Sequence, residues 1–397
     1  MACARVFWVM CVLAVAPSGA VVGAGAEGGS AGARAVIDAS GYPSLQAAID
    51  ALPPEGGLVK LPPGKFEMGA PLVLERGDVT IEGCGSATWL ESTNLARHAA
   101  IVVRPPASGG PKETLWRVQL SNFRLTGCAA SGHGIEAIRV NEILLDRLTV
   151  SGHGGDGIRL DNCYEDPRVA NCLITYNKGA GLRLIANHDI VVVGNHFEEN
   201  QDAVVCADGF NLCMSGNNVD DHLGNGVVIE NTYGSQVVGN MIEECQGTGV
   251  ILDRDAYGIT ISANVIAHDF GGGVDLRDAH GCAVTGNSFP LCGKFAIRAG
   301  PASGRNAISG NAIADSHIGE GAKRVKEGEN VAAGIVLSGA SHIAITGNTF
   351  GELSAPPISV EGDAPCRKIL IRDNVFTEGG PPEKGLTESL VSDNLGP

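Results

Sequence analysis

The chain has 397 residues, of which 44% are hydrophobic, 18% are charged and 56 are glycine, a composition that excludes a disordered or collagen-like protein. Acidic residues number 44 against 28 basic ones, so the formal net charge is -16. This acidity argues against nucleic acid or an anionic membrane surface as the main partner, because both require a basic face.

The N-terminal segment has the features of a secretory signal. Arg5 precedes an apolar stretch from Val6 to Ala16, and small residues follow up to Ala26. About eleven apolar residues are too few for a membrane span and suit a signal peptide. We assign residues 1–26 to a signal peptide and 27–34 to a linker, which predicts a secreted or periplasmic protein that is not held in a membrane.

Ten of the 12 cysteines lie beyond this segment. Their spacing contains no Cys-x-x-Cys or paired Cys/His pattern, which argues against zinc. We interpret them as small apolar side chains of a stacked core, Cys206 and Cys282 in particular, with disulfide pairing in an exported protein as the alternative.

A short helix is predicted at residues 44–52, followed by alternating strand-like runs at 56–66 and 79–85. Beyond them the chain repeats itself with a period of about 23 residues. An asparagine recurs in the same context at Asn171, Asn195, Asn217, Asn240, Asn264, Asn287, Asn311, Asn348 and Asn374. A second column consists of a small residue and an aliphatic one, as in Gly157-Ile158 and Gly249-Val250. Such a period predicts a solenoid.

The content of one period identifies the kind of solenoid. Each period holds three short alternating runs, and only about nine residues separate the asparagine from the next Gly-Ile pair, too few for the convex segment of a leucine-rich repeat. We therefore predict an all-β, single-stranded right-handed parallel β-helix of about 10–12 coils, with about 4.8 Å between coils. The asparagines are expected to form a buried ladder in which each amide bonds to the coils above and below.

These features resemble the pectate-lyase-like superfamily of parallel β-helices, with an N-terminal cap similar to that of alginate-epimerase-like modules. The resemblance implies a β-helix domain over residues 35–380, a capping helix at its start and a polar tail over 381–397. It also implies a sugar-binding groove on the outer face of the Gly-Ile strands. The family includes lyases, hydrolases, epimerases, phage tailspikes and proteins without known chemistry, so the fold alone does not define the activity.

The first candidate site is a turn with the sequence Ser-Gly-His-Gly-Gly-Asp-Gly-Ile-Arg-Leu-Asp at residues 151–161. We propose from it a catalytic set of His153, Asp156 and Arg159, with Arg183 on the next coil. Arginine suits the carboxylate of a uronate sugar, and histidine suits removal of a proton. Asp156 and Asp202 are alternatively the two carboxylates that a glycoside hydrolase needs.

Two subfamilies share parts of this turn. It resembles the alginate C5-epimerase motif S-G-Y-G-x-D-P-H, which Ser151, Gly152, Gly154 and Asp156 match, but His153 replaces the tyrosine and Gly157-Ile158 replace Pro-His. The Gly-His-Gly triplets at 132–134 and 152–154 are similar to those of polygalacturonases, whose Asn-Thr-Asp and Arg-x-Lys signatures are missing. Epimerase activity is therefore less favoured than cleavage.

Other polar residues fall on or beside the outer face of the Gly-Ile strands. We expect substrate contacts from Asp161, Asp202, His222, Asp275 and Arg298. Stacked carboxylates in the middle of the chain suggest a Ca²⁺ site, for which the candidate ligands are Asp221, Glu230, Asp253 and Asp269. No other cofactor is predicted.

One interval is much longer than the others, and it places an insertion at about residues 316–330 that we interpret as a lid over the groove. The combined expectation is an exported, monomeric β-helix that binds and cleaves a polysaccharide, as a lyase or glycoside hydrolase acting on a uronate-type glycan. The rival interpretation is a non-catalytic carbohydrate-binding or surface scaffold. A copper-maturation β-helix is disfavoured because the five methionines do not cluster.

Overall fold

The computed structural model describes residues 34–314 and 333–397. Residues 34–397 belong to one compact unit. The predicted signal peptide, all of the predicted linker except Arg34, and the predicted insertion at 316–330 lie outside the described residues.

The unit begins with a cap. A strand at Ala35–Asp38 and a 3-10 turn at Ala39–Gly41 lead into an α-helix at Leu45–Asp50. The Ser44 hydroxyl accepts a hydrogen bond from the Ala47 N–H at 3.1 Å, which satisfies a free donor of the first helical turn. Leu45, Ala48 and Ile49 are buried, so the helix covers the open end of the core, as the sequence predicted.

Two parallel sheets form the body of the solenoid. Within residues 34–314 and 333–397, sheet B has 12 strands, one for each coil that it spans, and it contains the Gly-Ile strands. Its strands are Leu72–Leu74, Ile101–Val103, Ile135–Ile138, Ile158–Asp161, Leu182–Ile185, Val204–Ala207, Val227–Glu230, Thr248–Asp253, Gly272–Leu276, Ile297–Ala299, Ile335–Leu337 and Ile358–Val360.

Sheet A has 29 strands in the described part of the chain and supplies the other two sides of each coil. Its strands are Ala35–Asp38, Gly57–Lys60, Gly64–Met68, Val79–Ser92, Leu115–Thr126, Val140–Asp146, Thr149–Ser151, Arg168–Ala170, Leu173–Thr175, Val191–Val193, His196–Glu198, Cys213–Ser215, Asn218–Asp220, Gln236–Val238, Met241–Glu243, Ala256–Tyr257, Thr260–Ser262, Val265–Ala267, Ala279–His280, Ala283–Thr285, Ser288–Pro290, Gly304–Ser309, Ala312–Ala314, Ser341–Thr346, Thr349–Gly351, Cys366–Arg372, Val375–Phe376, Leu386–Thr387 and Leu390–Ser392.

Each strand pairs in parallel with its equivalent in the next coil. Ile158 lies opposite Leu182, Leu182 opposite Val204, and Val204 opposite Val227, so residues at one repeat position form a straight column along the solenoid. Sheet A continues past sheet B at both ends, and the solenoid has about 14 turns. The right-handed β-helix fold is confirmed, with slightly more coils than the 10–12 predicted.

The asparagine ladder lies in the interior, at the corner between the two sheet A strands of each coil. The Asn240 Oδ1 accepts from the backbone N–H and the Nδ2 of Asn217, at 3.0 and 2.9 Å, and Asn240 bonds in the same way to Asn264. Asn195, Asn240 and Asn287 are all buried in it, as predicted. The residue before each rung takes a positive φ, as at Gly194, where glycine fits the left-handed turn.

The predicted ladder position was wrong in one coil, where Asn171 was expected to be the first residue of the ladder. Asn171 is exposed, has a φ of 56° and bonds to the Asp146 carboxylate, so it occupies the turn position of Gly194. Cys172 occupies the ladder position, and its N–H donates to Asn195 Oδ1 at 2.9 Å. Asparagine tolerates both the ladder and the left-handed turn, which explains the one-residue shift.

The C-terminal segment also differs from its prediction as a polar tail. The strands Leu386–Thr387 and Leu390–Ser392 pair with Cys366–Arg372, and Asn394 Oδ1 accepts from Asn374 N–H at 3.1 Å. Residues 386–394 therefore continue the repeat, because they retain its aliphatic residues and its asparagine.

Aliphatic and phenylalanine side chains fill the interior as one continuous cluster. Seven of the ten cysteines from Cys84 to Cys366, including Cys206 and Cys282, are buried, and all ten are free thiols. Burial raises the pKa of the Cys163 and Cys172 thiols to about 12 and that of Cys206 to about 11. The buried thiols therefore pack as small apolar groups of the core, the interpretation preferred over disulfide pairing.

Candidate functional site

The outer face of sheet B carries a polar end and an apolar middle. Residues one step after each Gly-aliphatic pair point outward and pair in register along the solenoid. In order this column reads Glu136, Arg159, Arg183, Val205, Val228, Ile251, Asp275, Arg298, Val336 and Ser359. The charged residues at its start occupy three successive coils, about 4.8 Å apart.

Asp156 joins this face from the turn that precedes its strand. Its Oδ2 accepts from Arg183 Nε at 2.9 Å, and its Oδ1 accepts from the Ala180 N–H at 2.8 Å. The carboxylate is only 5% exposed, so both contacts hold it in one orientation. No other hydrogen bond of the Arg183 guanidinium is found within residues 34–314 and 333–397, and the side chain is 30% exposed.

His133 lies against the same carboxylate. Its Nδ1 accepts from the Asp156 N–H at 2.9 Å and lies 3.3 Å from Asp156 Oδ2. Two glycines make this packing possible, because a Cβ on Gly155 would lie 2.8 Å from His133 Nδ1 and one on Gly179 would lie 2.5 Å from Asp156 Oδ1. An Nδ1 that accepts a backbone N–H leaves the proton of the neutral ring on Nε2.

Arg159 lies close to two accessible carboxylates. Its Nη2 lies 3.3 Å from Asp161 Oδ2, and its Nε lies 3.9 Å from Glu136 Oε1. The three side chains are each about a quarter exposed, at 27%, 24% and 28%. Asp161 also accepts from Asn162 Nδ2 at 2.6 Å. We call these six residues (His133, Glu136, Asp156, Arg159, Asp161 and Arg183) the sheet B cluster.

His153 does not belong to this cluster, contrary to the catalytic role proposed from the sequence. It is completely buried, and its N–H donates to Asn177 Oδ1 at 3.0 Å, while Asn177 bonds in turn to Asn200. His153 is thus a member of a second interior column. Burial lowers the pKa of its ring to about 4, so the ring is neutral at pH 7 and has no access to a substrate.

His222 and Asp269 are corrected for the same reason. Both are completely buried in this second column, where His222 Nδ1 accepts from the Asn200 N–H at 3.2 Å and Asp269 Oδ1 accepts from the Cys245 N–H at 3.0 Å. Burial lowers the pKa of His222 to about 4 and raises that of Asp269 well above its usual value. Neither side chain reaches a substrate or a surface ion.

The remaining substrate-contact candidates are distributed along the face. Asp202 lies two coils from Asp156, about 10 Å away along the column, and accepts from Asn225 N–H and Nδ2 at 2.7 and 3.0 Å. Asp275 is 1% exposed and is held by Arg298 and Arg277, whose Nε atoms lie 2.9 and 2.8 Å from its oxygens. Its charge is neutralised within the protein by these two arginines, and its carboxylate is buried.

The four calcium candidates do not converge. Asp269 is interior, Glu230 pairs with Arg254 at 2.8 Å, and Asp253 lies 3.8 Å from Arg277. Asp221 lies on a different turn, where it shares a cluster with Asp220 and Glu244 whose ligand atoms are all within 4.8 Å of one another. Burial, then the neighbouring Asp221 and Glu243, raise the pKa of Asp220. Ca²⁺ binding stays a prediction, but of the four ligands named for it from the sequence only Asp221 lies in this cluster.

Sequence reasoning missed His133 and Glu136 as site residues. The signal was present, because His133 stands two positions before Ile135 just as Asp156 stands two positions before Ile158, whereas His153 stands five positions before it. The position of a histidine relative to the start of its strand therefore identifies His133 as the one on the outer face, whereas the two Gly-His-Gly triplets look alike.

Comparison with known proteins agrees with this architecture. The family model described as "Right handed beta helix region" matches residues 78–242 and 225–389. A search of curated proteins finds no significant sequence match. No described helix is long and apolar enough to cross a membrane.

Solved structures share the fold at low sequence identity. The tailspike of E. coli bacteriophage HK620, in complex with a pentasaccharide, superposes with a TM-score of 0.57 at 16% identity, over 84% of this chain and 70% of the tailspike. The DFA-IIIase of Arthrobacter chlorophenolicus A6, in complex with GF2, has a TM-score of 0.56 at 14% identity, over 78% and 94%. The Azotobacter vinelandii mannuronan C-5 epimerase AlgE4 A-module has a TM-score of 0.50 at 15% identity, over 82% and 98%. The phage tailspike and virus chains are longer, and this chain spans 48–74% of their length.

Proposed function

The chain belongs to the right-handed β-helix family, and we propose that it binds a polysaccharide along the outer face of sheet B and cleaves it at the sheet B cluster. The observation that carries this proposal is that two accessible carboxylates, Glu136 and Asp161, both lie against Arg159, next to the fixed Asp156–Arg183 pair. Solved relatives with a bound pentasaccharide or GF2 support a glycan as the ligand.

The proposed reaction is hydrolysis of a glycosidic bond. One carboxyl group protonates the leaving oxygen, and the other activates water or attacks the sugar, so that the bond to the anomeric carbon breaks and water is added across it. Glu136 and Asp161 suit these roles because they are accessible, whereas Asp156 is buried and already accepts two hydrogen bonds. Arg159 holds both carboxylates near the Nε–Nη2 edge of its guanidinium.

Arg183 supports an acidic sugar as the substrate. Its Nε is bound to Asp156, which fixes the plane of the guanidinium and leaves the Nη edge directed away from that bond. A guanidinium edge binds a carboxylate through two parallel hydrogen bonds. We place the carboxylate of a uronate-type sugar here, beside the scissile bond.

Elimination by a lyase is the second candidate, since it also requires an arginine near the uronate carboxylate. It further requires a base at the sugar C5. His133 is the histidine of the cluster, but its Nδ1 accepts the Asp156 N–H, so the neutral ring carries its proton on Nε2, which is then a donor rather than a base. This geometry favours hydrolysis. Secretion through the segment at residues 1–26 completes the proposal, because extracellular polysaccharide is then the accessible substrate.

The test is product analysis by mass spectrometry on a panel of uronate-containing and neutral glycans. Products heavier by one water per cut indicate hydrolysis, and unsaturated products of unchanged total mass indicate elimination. Glu136→Gln and Asp161→Asn are expected to lower the rate at least about 100-fold, as loss of a general acid or base does. Glu67→Gln, on the exposed surface of sheet A, is the matched control with unchanged rate.

Two outcomes contradict the proposal. Cleavage that survives both substitutions unchanged places the chemistry elsewhere. Binding without any cleavage over the whole panel supports the rival interpretation, a non-catalytic carbohydrate-binding scaffold.

A further inference from the structure

Five aromatic rings, four exposed and one half-buried, form a continuous row after the sheet B strands. Their ring centroids are 6.3, 5.5, 5.6 and 6.0 Å apart in order. The row consists of Tyr164, His188, Phe210, Tyr233 and Tyr257, one residue from each of five successive coils. We call it the aromatic stripe, and nothing in the proposed cleavage uses it.

The turn backbone keeps these rings in line. His188, Phe210, Tyr233 and Tyr257 pair with one another as successive parallel bridges. The next position takes a left-handed conformation in each coil, at Asp189, Asn211, Gly234 and Gly258, so the chain drops away behind the rings. The rings therefore stand as a ridge, with 37–46% of Tyr164, Phe210, Tyr233 and Tyr257 exposed.

Short polar side chains border the ridge on both sides. Asp208, Asn231 and Asp255 lie two positions before a ring, and Asp189 and Asn211 lie one position after. They bond to one another, as in Asn231 Nδ2 to Asp208 Oδ1 at 2.7 Å and Asn211 Nδ2 to Asp189 Oδ1 at 2.8 Å. Aspartate and asparagine at the edge of an aromatic face are the groups that hydrogen-bond the hydroxyls of a stacked sugar.

We propose that the aromatic stripe is a second glycan-binding surface, on which a flat, equatorially linked β-glycan chain lies parallel to the solenoid axis with its axial C–H faces against the rings. The spacing of one ring per coil, about 4.8 Å, is close to the length of one sugar unit in such a chain. Five rings thus match about five consecutive sugars.

The stripe is too narrow for a protein partner, and its width suits a single polysaccharide chain. A stable protein interface needs about 20–30 residues on each side, whereas the stripe is one residue wide and is enclosed by charged groups, including Asp208, Glu230 and Arg254. A single polysaccharide chain has the width of one ring.

The position of the stripe connects it to the proposed function. Tyr164 follows Arg159 and Asp161 in the same coil, and His188 follows Arg183 in the next, so the stripe starts beside the sheet B cluster and runs toward the C-terminus. Insofar as the cluster cleaves glycan, the stripe holds the uncut part of the same chain. Binding to the stripe itself does not require cleavage.

The experiment measures the binding of β-1,4-linked oligosaccharides of two to eight units, cello- and mannuronan-derived, by isothermal titration calorimetry. The protein is the full chain carrying Glu136→Gln and Asp161→Asn, so that cleavage does not interfere. We expect affinity to rise with length and to level off near five units. The additional triple substitution Phe210→Ala, Tyr233→Ala and Tyr257→Ala is expected to weaken binding of the hexasaccharide at least about tenfold.

Tyr176→Ala is the matched control, because Tyr176 is equally exposed but lies after a sheet A strand, away from the stripe. Thermal unfolding of the triple variant checks that the coils remain folded, and Phe210→Tyr, which keeps the ring, should retain the affinity. Unchanged hexasaccharide binding in a folded triple variant overturns the inference. So does a wild-type dimer that the triple substitution converts to monomer, since the stripe is then a contact between two copies.

Failure of the stripe and failure of the proposed function give different results. If no glycan is cleaved in any assay but binding still depends on the stripe, only the proposed function of the sheet B cluster is contradicted. Cleavage at the cluster with a KM that does not depend on the stripe contradicts only the stripe.

Discussion

Replacing Asn240 by leucine tests how much the asparagine ladder contributes to stability. Asn240 is 2% exposed, and its side chain accepts from Asn217 N–H and Nδ2 and donates to Asn264 Oδ1 and to the Met214 carbonyl. Leucine has a similar volume but no polar atoms. The substitution therefore leaves the buried Asn217 N–H and the Met214 carbonyl without these partners.

Each buried group left without a hydrogen bond costs about 1–3 kcal/mol. Two such groups predict that Asn240→Leu lowers the free energy of unfolding by about 2–5 kcal/mol, after allowing for the favourable burial of the leucine side chain. Urea unfolding followed by circular dichroism measures the change. Because stacked coils unfold with limited cooperativity, the loss is compared at the first resolved transition.

Asn218→Leu is the matched control, because Asn218 follows the ladder residue Asn217 and points outward. Within residues 34–314 and 333–397 its side chain has one hydrogen-bond partner, His196 Nδ1 at 3.3 Å. We expect it to change stability by less than about 0.5 kcal/mol, as surface substitutions do. A loss for Asn240→Leu no larger than for Asn218→Leu would refute the assigned role of the ladder.

The other predictions concern the second interior column and the acidic turn. The His153→Asn variant should be at least as stable as the wild type at pH 7 and should cleave glycan at the same rate, since asparagines occupy the equivalent positions 177 and 200. A large loss of activity in a stable variant would restore a catalytic role for His153. Burial lowers the pKa of His153 and of His222 from about 6.5 to about 4, so the unfolded state binds protons more readily than the folded state. The free energy of unfolding therefore has its full value above pH 6.5 and falls by about 3 kcal/mol for each ring as the pH drops from 6.5 to 4. A variant with asparagine at both positions should lose less stability over this pH range. The pKa of Asp269 is raised instead, so its destabilising effect grows as the pH rises above 3.8, and Asp269→Asn should increase the melting temperature at pH 7; no increase would contradict its placement. Added Ca²⁺ should raise the melting temperature by a few degrees through Asp220, Asp221 and Glu244, and Asp221→Asn should abolish that shift; a shift that persists in this variant excludes the site.

The fold was predictable because its determinants recur in every coil. The period of about 23 residues, the inward aliphatic column and the asparagine before each second sheet A strand are all visible in the sequence. The register failed only at Asn171, where a residue type suited to both the ladder and the left-handed turn stands one place early. Residues 386–394 were missed because a final coil with fewer buried side chains looks polar in composition.

The site was predictable only in part. Asp156, Arg159 and Arg183 lie on one face because strand alternation determines which residues point outward. The directions of residues in turns do not alternate, so His153, His222 and Asp269 were assigned to the surface although their side chains continue an interior column of asparagines. The aromatic stripe escaped notice because its five residues differ in type and align only once the coils are stacked.

The most direct test of the proposed glycan site is a crystal structure of the Glu136→Gln, Asp161→Asn variant with a hexasaccharide of the glycan that the wild type cleaves. We predict a sugar ring between positions 136 and 161, with a sugar carboxylate on the Nη edge of Arg183. An oligosaccharide bound away from sheet B, with the sheet B cluster free of sugar, would contradict the proposed site.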